Sequence, residues 1–187
     1  MPELQAVEER DLAPPAITPE SPRDAAIRNF IKNFFYAAMV YSLVGFSWGA
    51  FMGVKSVRFF LEAPPADLIV RAHAHLNLLG WVEMALFGAI YYVFPKLVGR
   101  SWYSFSMIKW NFYLHNVGLI GMVVLFTIAG YQAGVVYHAG QFEMVEITKA
   151  PYMPWVGMFG MIVILANVIL VVNMALTARS VRTNPTR

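Results

Sequence analysis

The segment Arg71-Ala72-His73-Ala74-His75-Leu76-Asn77-Leu78-Leu79-Gly80-Trp81 sets two imidazoles one residue apart in an otherwise apolar stretch. Neutral imidazole is a strong ligand for iron and other transition metals. Each helical residue advances about 100°, so His73 and His75 point roughly 160° apart and cannot clamp one ion as an i, i+4 pair does. They must serve two different neighbours. By the same arithmetic His73 shares a face with Asn77, Gly80, Met84 and Tyr91, while His75 lies with Leu79, Val82 and Leu86. A flat cofactor could lie against such a surface beside a small residue such as Gly80. The plainer alternative is a pair of interfacial histidines bonded to loop carbonyls or water, and spacing alone does not decide between them. The remaining two of the four histidines are His115 and His138, and there is no cysteine. Disulfides, thiolate metal sites, iron–sulfur clusters and covalently attached c-type haem are therefore excluded.

The elements that must carry these groups are set by composition. Of 187 residues, 58% are hydrophobic and only 13% charged, with a mean hydropathy of +0.54. That excludes a water-soluble globular domain. Apolar runs long enough to cross a bilayer, about 20 residues each, predict an all-α membrane protein with four transmembrane helices. Helix 1 is expected from about Asn29 to Val54. Helix 2 follows Pro64-Pro65 with Asp67 as N-cap and runs to Phe94, where Pro95 stops it. Helix 3 spans about Met107 to Tyr137, loosened near Gly130 and Gly134, and helix 4 about Pro154 to Ala178. Residues 1–28, with Pro14, Pro15, Pro19 and Pro22, read as a solvated tail, 29–181 as the membrane domain and 182–187 as a short second tail.

The net charge of +3 does not point to nucleic acid, because the basic residues flank the apolar runs instead of forming one patch. Ten of the fourteen Lys and Arg fall on the side of the two termini and of the loop between helices 2 and 3, whereas Lys55, Arg58, Arg71 and Lys149 fall on the other. The positive-inside rule then puts both termini in the cytoplasm and the start of helix 2 outside. Glu83 lies deep in helix 2, where an unpaired charge costs on the order of 3 kcal/mol, so a protonated or hydrogen-bonded carboxyl is expected. Asn77, Asn116, Asn167 and Asn173 are read as interhelical hydrogen-bonding groups. Trp48, Trp102, Trp110 and Trp155 suit interfacial belts, and Trp81 is the one tryptophan with a cofactor-pocket alternative.

Arg71 to Arg100, with HAHLNLLGW and FGAIYYVFPKLVGR, resembles the tenth helix of the catalytic subunit of haem-copper oxidases, most closely the cbb-type branch and then nitric oxide reductases. The likeness continues through Ser106-Met107-Ile108-Lys109-Trp110, Ala129-Gly130-Tyr131-Gln132-Ala133-Gly134 and Ala150-Pro151-Tyr152-Met153-Pro154, so that about Phe30 to Val181 is similar to the family's last four helices. The resemblance implies that His73 matches the ligand of the active-site haem and His75 that of the low-spin haem, with Trp81 lining a pocket. It also implies that Arg71 sits near the propionates. The family's first eight helices, with its copper-binding histidines, have no counterpart in this sequence, so haem b (protohaem) without copper is expected, one or two per chain or shared between chains. No catalytic residue is assigned, and an oxygen reductase of that design is not expected from this chain alone. His138 is the histidine of better depth for an opposite ligand, with a solvated loop histidine as its plainer reading. The expectation is a b-type haem protein of a bacterial-type inner membrane, passing electrons within a homo-oligomer or with other membrane respiratory subunits. A haem-free accessory subunit is the alternative.

Overall fold

The computed structural model describes residues 21–180. Six helices form, four of them long and apolar enough to cross a membrane. They are α1 (Pro22–Met52), α2 (Lys55–Leu61), α3 (Pro64–Val98), α4 (Phe105–His138), α5 (Met144–Lys149) and α6 (Met153–Arg179). Residues 1–20 and 181–187, which hold most of the first expected tail and all of the second, lie outside the described residues.

The helix ends correct several expectations. Helix α1 begins at Pro22, well before Asn29, because Ser21 accepts from the Asp24 amide at 3.1 Å and Pro22 supplies a preset first turn. Asp67 is not an N-cap; it lies within α3, which opens with a single tight turn over Pro64–Ala66. Pro95 does not stop α3 either, since the helix runs on to Val98 and ends at Gly99, whose φ of 63° closes the turn in the left-handed region. Gly130 and Gly134 do not loosen α4. They admit Leu68 and Ile69, and Phe60, to close approach, and the helix is unbroken.

The spans alternate in direction and pack in sequence, α1 on α3, α3 on α4, and α4 on α6 along the most extensive interface. One apolar cluster fills the half of the bundle nearer the start of the first span, around Ile31, Phe34, Phe87, Tyr91, Trp102 and Leu170. A second, around Ala72, Leu76, Leu119, Met122 and Val156, fills the half on the side of the histidine pair. Large apolar side chains such as Met39, Leu43 and Val171 are exposed on the outer faces, as lipid contact requires. The connection between α3 and α4 is sewn down. Trp102 Nε1 donates to the Tyr91 carbonyl at 2.7 Å, and Asn173 bonds both the amide and the carbonyl of Ser104, at 3.1 and 3.0 Å. Trp102 is consequently buried in the core and does not join an interfacial belt, whereas Trp110 and Trp155 are exposed.

One departure concerns the site itself. Within α3, residues Leu76–Glu83 wind as a π-helix, with wider turns than the α-helical segments on either side. The 100° arithmetic therefore holds up to His75 and drifts beyond it.

Candidate functional site

His73 and His75 stand in the last turn before the π segment and face different helices. The His73 ring meets Trp48 of α1, centroids 6.4 Å apart, with its edge against Gly49. The His75 ring meets Phe126 of α4 at 5.5 Å. The split expected from the spacing is thus present.

Their hydrogen bonds give them different chemistry. His75 Nδ1 lies 2.7 Å from the Arg71 carbonyl, an acceptor, so Nδ1 carries the proton and Nε2 keeps its lone pair. This bond fixes the ring, as the outer partner of a metal-bound imidazole does. At His73 the Asn77 amide nitrogen donates to the His73 carbonyl at 2.9 Å and lies 3.2 and 3.5 Å from Nδ1 and Nε2 of the ring, so its contacts fix neither ring nitrogen as the donor. Of the pair, His75 is the one prepared to give an electron pair through Nε2.

Deeper in the bundle a polar seam crosses the apolar core. His115 is fully buried and its Nε2–H donates to the Leu79 carbonyl, in the π segment, at 3.0 Å, with a Glu83 carboxylate oxygen 3.9 Å away. Tyr41 donates to Asn116 at 2.5 Å, joining α1 to α4, and buried Asn111 donates to the Ala166 carbonyl at 2.8 Å, joining α4 to α6. Asn77 and Asn167, by contrast, bond within their own helices, so the expected interhelical role holds for Asn116 and Asn173 only. Asn111 was the group missed. Its spacing of four from His115 puts both on one face of α4, which was the available signal.

The other expected site residues lie apart. His138 Nε2–H donates to the Phe60 carbonyl at 3.1 Å and its ring lies among Phe59, Phe60 and Tyr137. Arg71 reaches back along its helix to Asp67, Nε to carboxylate 2.8 Å, with both side chains more than half exposed. Trp81 stands edge-on to Phe46 of α1 at 4.8 Å, on the opposite flank from Phe126. An apolar cavity of about 510 Å³ opens between α1, α2, α3 and α4 next to His73, lined in part by Trp48, Phe60, Ile69 and Tyr131. Among the described residues no cluster of three or more His, Asp or Glu could hold a bare metal ion. A cofactor that brings most of its own ligands would need only a single imidazole from the protein.

A profile of the family "Cytochrome C and Quinol oxidase polypeptide I" matches residues 25–163, which include all four histidines. The chain belongs to this family. Within the oxidase polypeptide I family, the chain is 31% identical over 108 residues to a cytochrome c oxidase subunit 1 homolog of Agrobacterium tumefaciens, covering 57% of this chain and 19% of that one. It is 32% identical over 110 residues to a cbb3-type cytochrome c oxidase subunit of Stutzerimonas stutzeri, 58% of this chain and 23% of the relative. A cytochrome c oxidase subunit 1 of Rhodobacter capsulatus is 29% identical over 90 residues, 48% and 16% respectively. The matched part spans about a fifth of the length of these polypeptide I relatives.

Proposed function

We propose that the chain is a membrane haem b protein in which His75 would hold the haem, and that it passes electrons within a homo-oligomer or a larger respiratory assembly. The observation that carries this is the Nδ1–H bond from His75 to the Arg71 carbonyl, which leaves Nε2 free to donate. Membership of an oxidase subunit family supports the choice of haem over another metal group. A haem bound there would supply one-electron iron chemistry, without copper. The chain's own part is to hold an imidazole in one tautomer against Phe126, in a half-buried outer position. His115 and His138 both spend Nε2 on carbonyls, so the opposite ligand comes from a second copy or a partner subunit. With ten cations on the side of the termini, both termini face the cytoplasm of a bacterial-type inner membrane and the histidine pair faces outward.

A pyridine haemochrome assay on protein purified from membranes tests this reading. Haem b should be found in an oligomer by size-exclusion light scattering. Protein without haem would instead support a haem-free accessory subunit, and a haem-loaded monomer with six-coordinate spectra would return His138 to the role of second ligand.

Arg71 is assigned to the anionic propionates of that group. Its Nε is spent on Asp67, which leaves the two terminal nitrogens of the guanidinium fork for a carboxylate. Arg71→Gln should lower the haem midpoint potential by on the order of tens of millivolts, because losing a nearby positive charge favours the oxidised iron. The paired Asp67 keeps the effect small. A redox titration with no shift at unchanged haem content would leave Arg71 as a helix-end anchor.

A further inference from the structure

At the end of the bundle opposite the histidine pair, a second cavity of about 490 Å³ lies between the first turns of α1, the last turns of α3 and the connection that follows. Its lining brings together three cations from three separate segments, Arg28 of α1, Lys96 of α3 and Arg100 after it. The one carboxylate in the lining, Asp24, is already engaged by the hydroxyls of Ser21 and Ser101 at 2.7 and 3.0 Å. Arg100 gives one of its five N–H donors to the Ala178 carbonyl, and the Lys96 ammonium sits 3.4 Å from the centre of the Tyr92 ring. The lining is therefore electropositive beside two buried apolar side chains, Ile27 and Ile31.

One group in this lining is unexplained by the fold. Tyr91 is fully buried, yet its hydroxyl has no hydrogen-bond partner among the described residues. A buried hydroxyl left unbonded is destabilising, so a ligand oxygen that reaches it recovers the loss. The basic side chains of Lys96 and Arg100, a buried hydroxyl in the lining without a bonded partner among the described residues, and an apolar wall together call for a molecule that is anionic at one end and greasy at the other.

We propose that this cavity binds the phosphate-bearing headgroup of an anionic phospholipid, phosphatidylglycerol in kind, with acyl chains lying along α1 and α3. Membrane-spanning helices frame it, and exposed apolar residues Val93 and Leu97 of α3 continue from it along the lipid-facing surface. Basic pockets between transmembrane helices take such headgroups by charge and hydrogen bonding. A cavity of this volume is several times larger than a bare phosphate ion, and the buried isoleucines would gain nothing from one. The site is independent of haem binding.

The test is the thermal unfolding midpoint of the full chain in a neutral detergent, with added lipid. Phosphatidylglycerol should raise the midpoint by about 3 °C or more, and phosphatidylcholine at the same mole fraction by less than half as much. Inorganic phosphate should leave it unchanged. Lys96→Gln and Tyr91→Phe should each remove at least half of the phosphatidylglycerol shift. Tyr91→Phe should also hold or raise the lipid-free midpoint, because it deletes a buried hydroxyl that has no partner to lose, so it carries the test if Lys96→Gln fails to fold. Equal shifts from both lipids, a full shift with inorganic phosphate alone, or an undiminished shift in Tyr91→Phe would overturn the proposal.

Discussion

His75→Ala should lose most of its bound haem b, with affinity down more than tenfold, while His73→Ala keeps the larger part. The two residues stand two positions apart in sequence and differ in how their rings are held. His75 holds its proton on Nδ1 through the Arg71 carbonyl and offers Nε2; the Asn77 amide lies within reach of both ring nitrogens of His73 and fixes neither. Losing an axial bond removes more than the 1.4 kcal/mol that a tenfold change represents. Haemochrome content per chain and the Soret band, measured on both variants in the same membranes, report the outcome. A full Soret band in His75→Ala would end its assignment as a ligand. Equal loss in both variants would argue against separate roles.

The largest effect on stability is expected from Gly118→Val. A side chain at 118 would run into the Phe159 carbonyl and the backbone of Val163 as well as the Val163 side chain, so α4 and α6 must part along their whole interface to admit it. Backbone cannot rotate out of the way as a side-chain tip can, which puts the cost at about 3 kcal/mol, the upper end for overpacking. Gly157→Val is the control, since a side chain there meets nothing within 4 Å. Unfolding in mixed micelles should separate the two variants clearly. Similar midpoints would mean that α4 and α6 are less tightly packed than described.

Much of this fold was legible in the sequence because a bilayer enforces it. A run such as Met158 to Val172 has one stable conformation in hydrocarbon, and hydropathy alone finds it. The opposed aim of His73 and His75 was legible for a similar reason, as two residues span too little helix for irregularity to accumulate. What escaped was decided by tertiary partners. Pro95 could sit inside α3 near its end, where its effect on the helix is small, and Trp102 was drawn into the core by the Tyr91 carbonyl, which no local pattern reveals. Asn111 and Asn77 carry the same side chain and both pack against another helix, yet Asn111 donates to the Ala166 carbonyl across that contact, whereas Asn77, set against Gly45, donates back to its own helix. The start of α1 at Pro22 was written in Ser21 and Asp24, but a proline-rich, charged prelude masked it.

The wide turns over Leu76–Glu83 have a consequence for how α3 can change. They act as a phase offset between two rotors on one shaft. One rotor carries His73 and His75, and the other carries Phe87 and Tyr91, locked into the aromatic core. Each of the wide turns takes more residues than an α-turn, so rewinding the strip as ordinary α-helix at its present length would turn the half with the histidines against the other by on the order of 100°. The apolar span would survive such a change almost unaltered, but His75 would swing off Phe126. The winding of this strip, more than its composition, therefore sets which way the imidazoles look.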